Sequence, residues 1–188
     1  ERKIHERLSR LVDALPQIQN AFVIDAEGRA LVSAKTFPLP AGTTAIDRSY
    51  FIAHRDGGQE RHVSEALRGR LNDSAFFQYS ERRQTPDGRF NGVIAVSISP
   101  AYFVDRFAQA SEARNYTAAL VRADGEILAR YPATGGPNRL GPDSGFMRSL
   151  AASPEVGMYE TDRSAFDNQA RIFMYRKLPD LPIYVAHG

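Results

Sequence analysis

The fold of the chain is decided by residues 75–99, which read AFFQYSERRQTPDGRFNGVIAVSIS. Two runs rich in aromatic and β-branched side chains, Ala75 to Arg83 and Arg89 to Ser99, lie on either side of Pro86-Asp87-Gly88. This tripeptide favours a tight turn, because Pro fixes one backbone angle and Gly accepts a positive one. The stretch therefore predicts a long antiparallel hairpin at the centre of a β-sheet.

Alternation along the first of these strands sorts its side chains onto two faces. Phe77 and Tyr79 are expected on one face, and Phe76, Gln78 and Ser80 on the other. Because both faces are partly apolar, we expect helices to cover one of them and other structure to cover the second. Aromatic residues in a strand are most often core residues, which is the simplest interpretation of Phe77 and Tyr79.

The N-terminal residues predict a helix with a narrow apolar stripe, which Pro16 ends. The stripe has the 4-3-4 spacing of a coiled-coil seam and consists of Ile4, Leu8, Leu11 and Leu15. We expect this helix to pair with that of a second copy in a homodimer. Val12 widens the stripe, so packing of the helix on its own domain is the alternative.

Two further hairpins and three helices follow from turn and cap residues. Strands at Ala21 to Ile24 and Ala30 to Val32 flank a turn, and Asp47 can cap a helix that Gly57-Gly58 ends. Ser99-Pro100 opens another helix. The second half repeats the plan, and its predicted elements are strands at Tyr116 to Val121 and Glu126 to Tyr131 around Asp124-Gly125, a helix at Phe146 to Ala151, and strands near Met158-Tyr159, Ala170 to Tyr175 and Ile183 to Val185.

These elements predict an α+β fold of two small domains with central antiparallel sheets. The expected division is an N-terminal helix over 1–19, a first domain over 20–113 and a smaller second domain over 114–188. The chain begins within a helical pattern and ends in a strand pattern, so we expect transmembrane helices to flank it in a longer protein.

Composition and motifs argue against several classes of function. The net charge is +2 and basic residues are interspersed with acidic ones, so we do not expect nucleic-acid binding. The chain has no Cys, and its histidines, His5, His54, His62 and His187, lack the spacing of a metal site. We expect no metal, no cofactor and no catalytic residue in this part of the protein, with a hydrolase of unusual design as the weakest alternative.

One ordered set of motifs carries a resemblance to a known family. It consists of Asp47-Arg48-Ser49-Tyr50-Phe51-Ile52-Ala53-His54-Arg55-Asp56, Arg68-Gly69-Arg70, Arg82-Arg83, Asp87-Gly88-Arg89-Phe90-Asn91-Gly92-Val93 and Pro100-Ala101-Tyr102-Phe103. In order and spacing these motifs resemble the extracytoplasmic Cache domains, also called PDC-type PAS-like domains. The repeated second half and the leading helix resemble their two-module, double Cache arrangement.

The resemblance implies a pocket for a small organic ligand between the short helix and the sheet of the first domain. The residues carried over to it are Arg48, Tyr50 and His54 on the helix, Arg70 before the sheet strand, and Phe77, Tyr79 and Ser97 on the sheet. The cationic or polar groups of Arg48, His54 and Arg70 among these aromatic walls suit a small carboxylate, either an organic acid or an amino acid. Structural roles are the alternatives: His54 as a satisfied core histidine, and Arg48 as a surface partner of Asp47 or Glu65.

The resemblance also implies a function. Such domains form the periplasmic part of inner-membrane receptors, and we expect this one to report to a sensor histidine kinase. A diguanylate cyclase or a chemoreceptor is the alternative output, and a stand-alone periplasmic binding module is the alternative protein.

Overall fold

The structure is a computed structural model that describes residues 1–70, 73–110, 115–133 and 138–188. Its contacts divide the chain into two units, Glu1–Ser99 and Pro100–Gly188. The predicted boundary between residues 113 and 114 lies outside the described residues, and the observed division comes earlier because the helix that follows Ser99 packs in the second unit. The N-terminal helix packs within the first unit rather than forming a segment of its own.

The first unit is an antiparallel sheet with two helices. Its elements are α1 (Arg2–Asp13), β1 (Ile18–Ile24), β2 (Ala30–Ser33), α2 (Ser49–Arg55), β3 (Arg61–Val63), β4 (Leu67–Arg68), β5 (Ala75–Gln84) and β6 (Phe90–Ile98). The strand order is β2-β1-β6-β5-β3, and β4 pairs with β5. The predicted hairpin is present: β5 and β6 pair antiparallel, and Gly88 adopts a φ of +81° in the turn between them.

Each face of the first sheet is covered by a different helix. On one side, which we call the α1 face, Val12 of α1 packs against Ala21 and Val96. On the other, the α2 face, Tyr50 and Phe51 of α2 pack against strand residues that include Ile24, Val93 and Ala95. Both faces are thus covered, but each by a helix, whereas the sequence prediction put helices on one face and other structure on the second.

The second unit repeats the plan of the first. Its elements are α3 (Pro100–Ala110), β7 (Ala118–Arg122), β8 (Ile127–Tyr131), α4 (Gly145–Ala152), β9 (Val156–Thr161), β10 (Arg171–Lys177) and β11 (Ile183–His187). The strand order is β8-β7-β11-β10-β9, all antiparallel. Read in chain order, this is the same arrangement as in the first unit. The predicted α+β class with two antiparallel sheets is confirmed.

Two details differ from the sequence predictions. Asp47 does not cap α2: the cap position is Arg48, and the Asp47 carboxylate instead accepts a hydrogen bond from Arg70 at 2.5 Å. The short strands β3 and β4 were not predicted, because three- and two-residue strands carry no alternation that a sequence could reveal. Among the described residues, no helix is both long and apolar enough to cross a membrane.

Candidate ligand-binding site

A cavity of about 320 Å³ lies on the α2 face of the first sheet. Strand residues form its floor, α2 and the segment around Arg70 form one wall, and the loop that connects β2 to α2 forms another. Its volume lies at the lower end of the range of about 300–1,000 Å³ that is typical of small-molecule sites. A ligand of a few heavy atoms fits such a space.

The floor is a row of polar side chains on three adjacent strands. Asn20 on β1 lies opposite Ser97 on β6, and Ser97 lies opposite Gln78 on β5. Ser97 Oγ donates to Gln78 Oε1 at 2.9 Å. Asn20 Oδ1 accepts hydrogen bonds from the Ser33 hydroxyl at 3.0 Å and from the Lys35 amide at 3.2 Å. The amide oxygens of Asn20 and Gln78 thus each accept at least one hydrogen bond within the protein.

One donor in the floor has no partner. Gln78 is only 1% exposed, and its Nε2 makes no hydrogen bond to any of the described residues. A buried amide donor left in this state costs about 1–3 kcal/mol. Because Gln78 also lines the cavity, an acceptor atom of a ligand is the natural partner for Nε2.

Two arginines stand at the cavity and differ in their pairing. Arg70 donates to the Asp47 carboxylate, and this hydrogen bond is the main cause of the lowered pKa of Asp47. Arg48 donates one hydrogen bond, at 3.3 Å, to the Arg68 carbonyl and has no ion pair within the described part of the chain. The charge of Arg48 is therefore available to an anion.

Tyr50 adds a neutral phenol to the wall that carries Arg48. Burial raises the pKa of Tyr50 to about 12, although the charges of Arg48 and Arg70 act in the opposite direction. The charge of Asp47 acts in the same direction as burial. At neutral pH Tyr50 therefore stays protonated and can donate a hydrogen bond.

The seven residues predicted for the site do not all reach the cavity. Arg48, Tyr50, Arg70 and Ser97 line it. His54, Phe77 and Tyr79 lie outside its lining, and their placement requires a correction of the predicted set.

Alternation explains why Phe77 and Tyr79 are absent from the lining. Tyr79 lies opposite Val96, which packs on the α1 face, and Phe77 shares that face. Phe77 is buried in the core there, and Tyr79 donates to Glu81 at 2.5 Å. The cavity instead meets Phe76 and Gln78, the side chains that the same alternation places on the opposite face. The sequence contained this signal, because its alternation already separates Phe76 and Gln78 from Phe77 and Tyr79.

His54 holds the end of α2 instead of lining the cavity. It is fully buried, its Nε2 lies 2.8 Å from the Ser80 hydroxyl, and its Nδ1 lies 2.5 Å from the Gln59 carbonyl. Both ring nitrogens are thus engaged with protein atoms. The structural alternative for His54 is the one that the contacts favour. Arg48 forms no ion pair with Asp47 or Glu65 in the described part of the chain, although its charge contributes to the lowered pKa of Asp47. The two carboxylates accept hydrogen bonds from Arg70 and Ser49, respectively.

A second, larger groove is a weaker candidate. It has a volume of about 450 Å³ and follows the loop residues 37–44. Of the charged residues that line it, Arg29 and Asp25 bind each other at 2.7 Å, and the third is Glu1. Among the described residues, no cluster of His, Asp and Glu has the arrangement of a metal site.

Comparison with known proteins identifies relatives by structure. No protein-family profile matches the chain, and no curated protein sequence matches it either. The extracellular domain of the histidine kinase candidate rpHK1S-Z16 superposes with a TM-score of 0.86 at 28% sequence identity, covering 100% of this chain and 76% of that one.

Two more distant structures share the fold. The ligand-binding domain of the Pseudomonas aeruginosa amino acid chemoreceptor PctB, in complex with L-Gln, has a TM-score of 0.64 at 19% identity, covering 99% of this chain and 73% of that one. The sensor domain of the Vibrio cholerae histidine kinase DctB has a TM-score of 0.55 at 14% identity, covering 99% and 77%. All three are sensor modules of receptors.

Proposed function

We propose that this chain, a double Cache sensor domain of the type found in histidine kinases and chemoreceptors, binds a small organic carboxylate in the cavity of its first unit. The observation that carries the proposal is the unpaired guanidinium of Arg48 beside a cavity whose floor presents the free donor Gln78 Nε2. Guanidinium groups bind carboxylates through two parallel hydrogen bonds, which are stronger than neutral ones.

The contacts of the cavity divide the ligand into two parts. A carboxylate fits at Arg48, with Arg70 adding positive charge and the Tyr50 hydroxyl a further donor. The rest of the ligand would lie between Phe22 and Phe76, with its polar groups turned toward the floor. Apolar walls with a few placed polar groups are the usual composition of such sites.

Sensing follows from the element that carries the site. Arg48 and Tyr50 lie at the start of α2, so a ligand that binds both fixes the position of this helix against the sheet. Such a ligand shifts the population between two positions of α2 only by its difference in affinity for them. In the receptor we assign the membrane-distal role to the first unit, within residues 20–113, and the coupling to a following membrane helix to residues 114–188.

We propose a periplasmic location and a sensor histidine kinase as the output. The 28% identity to the domain of rpHK1S-Z16 supports this output. The likeness to PctB supports a chemoreceptor as the second candidate, and the sequence that follows the chain in the full-length protein distinguishes them.

Calorimetric titration of the chain with acetate, L-lactate, succinate and L-alanine tests the proposal. We expect at least one of them to bind the wild type, and Arg48→Ala to weaken that binding about 10- to 100-fold, since a charge-assisted hydrogen bond is worth about 1.5–3 kcal/mol. Arg89→Ala is the matched control, because Arg89 is 81% exposed at the tip of the hairpin, outside the lining. Equal binding by the Arg48→Ala and Arg89→Ala variants would refute the assignment.

A further inference from the structure

The charged residues that line the cavity are all positively charged. Among the described residues the lining includes Lys35, Arg48 and Arg70 but no Asp or Glu. Two of the cations are compensated from outside the lining, since the Lys35 ammonium binds Asp13 at 2.7 Å and Arg70 binds Asp47. Arg48 is therefore the cation of the lining that has no ion pair among the described residues, and the lining itself offers no carboxylate to a cation.

The neutral polar groups of the cavity also favour a ligand that accepts hydrogen bonds over one that only donates them. Asn20 Oδ1 already accepts from two backbone amides and from the Ser33 hydroxyl, and Gln78 Oε1 accepts from Ser97. The unpartnered group in the floor is a donor, Gln78 Nε2. A ligand ammonium, which has three N–H donors and no acceptor, would find only neutral oxygens there, which already take part in hydrogen bonds within the protein.

The carboxylate near the rim does not change this balance. Asp47 is bound by Arg70 at 2.5 Å and does not line the cavity. Arg70 already neutralises the charge of Asp47 through Oδ2, so an ammonium that reached the other carboxylate oxygen would meet an ion pair rather than an unpaired carboxylate. An ammonium group in this cavity would thus be desolvated without a carboxylate of its own, which is unfavourable.

We infer that the cavity selects carboxylates whose other polar groups are uncharged acceptors, such as 2-hydroxy or 2-oxo acids, and rejects α-amino acids of the same size. The inference rests on the proposed function and narrows its ligand class. A hydroxyl or carbonyl oxygen can accept from Gln78 Nε2, whereas an ammonium cannot. This distinguishes the site from that of an amino-acid receptor.

Matched pairs of ligands test the inference on the wild-type chain. The pairs are L-lactate with L-alanine, and 2-hydroxy-3-methylbutanoate with L-valine, each differing only in hydroxyl against ammonium. We expect the hydroxy acid to bind at least about tenfold more tightly in calorimetry, because the ammonium loses its hydration without gaining a partner. Equal or tighter binding of the amino acid overturns the inference and leaves the proposed function standing. If no carboxylate binds at all, the proposed function fails and the inference fails with it.

A charge placed in the floor should change the preference. Gln78→Glu replaces the free donor by a carboxylate of the same shape, so we expect weaker binding of L-lactate and stronger binding of L-alanine. Gln84→Glu is the matched control, because Gln84 is exposed at the far end of the same strand and lies outside the lining. Circular dichroism checks that both variants fold. A folded Gln78→Glu protein with the wild-type preference would contradict the role of the floor, and the wild-type titrations decide the inference if this variant does not fold.

Discussion

Single residues along β5 separate the core of the first unit from its cavity. Phe77 is buried on the α1 face, while its neighbour Gln78 lies under the cavity on the α2 face. The polar floor thus depends on the two-residue period of the strand rather than on a loop. A shift of one residue in this strand would place a phenylalanine where the free amide now lies.

His54 should make the stability of the first unit dependent on pH. Burial lowers the pKa of His54 below its usual range, and the nearby charge of Arg82 acts in the same direction. Above about pH 6.5 the ring is neutral in both the folded and the unfolded state. As the pH falls below this value, the unfolded state takes up the proton first, so the free energy of unfolding decreases.

Urea unfolding at pH 7.5 and pH 5.5 measures this effect. We expect the wild type to lose more stability between the two pH values than His54→Gln, which has no titrating ring at this position. His187→Gln is the control, because His187 is exposed on β11, and its pH dependence should match that of the wild type. A His54→Gln protein with the full wild-type pH dependence would show that the buried ring is not responsible.

At the level of elements, the pairing of β1 with β6 requires a glycine. Gly92 has a φ of +93°, and a Cβ at this position would lie 2.0 Å from the Ile24 carbonyl oxygen on the neighbouring strand. An alanine would therefore force the two strands apart in addition to adopting an unfavourable backbone angle.

The substitution Gly92→Ala is expected to destabilise the chain by clearly more than the roughly 1–3 kcal/mol that a strained backbone angle costs alone. Gly42→Ala is the matched control: Gly42 also has a positive φ, +80°, but no atom lies within 4 Å of its would-be Cβ. Urea unfolding of both variants gives the comparison. Equal losses for the two would show that the close approach of Ile24 has no effect.

The helix α1 divides its apolar stripe between two surfaces. Val12 is buried and Leu8 packs beside it on the sheet, whereas Ile4, Leu11 and Leu15 are exposed. The helix therefore packs on its own domain along one edge of the stripe. The other edge retains the seam spacing that predicts a second copy as its partner.

Dimerisation through α1 remains a prediction, and Leu11→Glu is the variant that tests it. Leu11 is 54% exposed, so the change should reduce self-association in sedimentation equilibrium and leave the unfolding curve unchanged. Leu8 is unsuitable, because it contributes to the core. Arg10→Glu, an exposed change elsewhere on the helix, is the control. If the wild type stays monomeric up to millimolar concentration, the prediction fails.

For the whole molecule, the repeated antiparallel hairpins were accessible from the sequence because they rest on signals of short range, whereas the strand order, which pairs β1 with β6 and β7 with β11, was not predicted. Alternation in β5 and the turns at Pro86-Asp87-Gly88 and Asp124-Gly125 specify antiparallel pairs without knowledge of the rest of the chain. The division of the chain after Ser99 was not accessible, since it depends on where α3 packs.

The site was only partly predictable for a related reason. Arg48, Tyr50, Arg70 and Ser97, which line the candidate cavity, were predicted from the order of motifs. The free state of Gln78 Nε2 and the pairing of Arg70 with Asp47 depend on contacts between residues distant in sequence, which no local pattern reports.

A crystal structure of the chain with saturating L-lactate tests the central claim most directly. The account predicts the ligand in the cavity of the first unit, with its carboxylate oxygens about 3 Å from the Arg48 guanidinium nitrogens and its hydroxyl within hydrogen-bond reach of Gln78 Nε2. A ligand found in the second unit, or one whose carboxylate points away from Arg48, would contradict it.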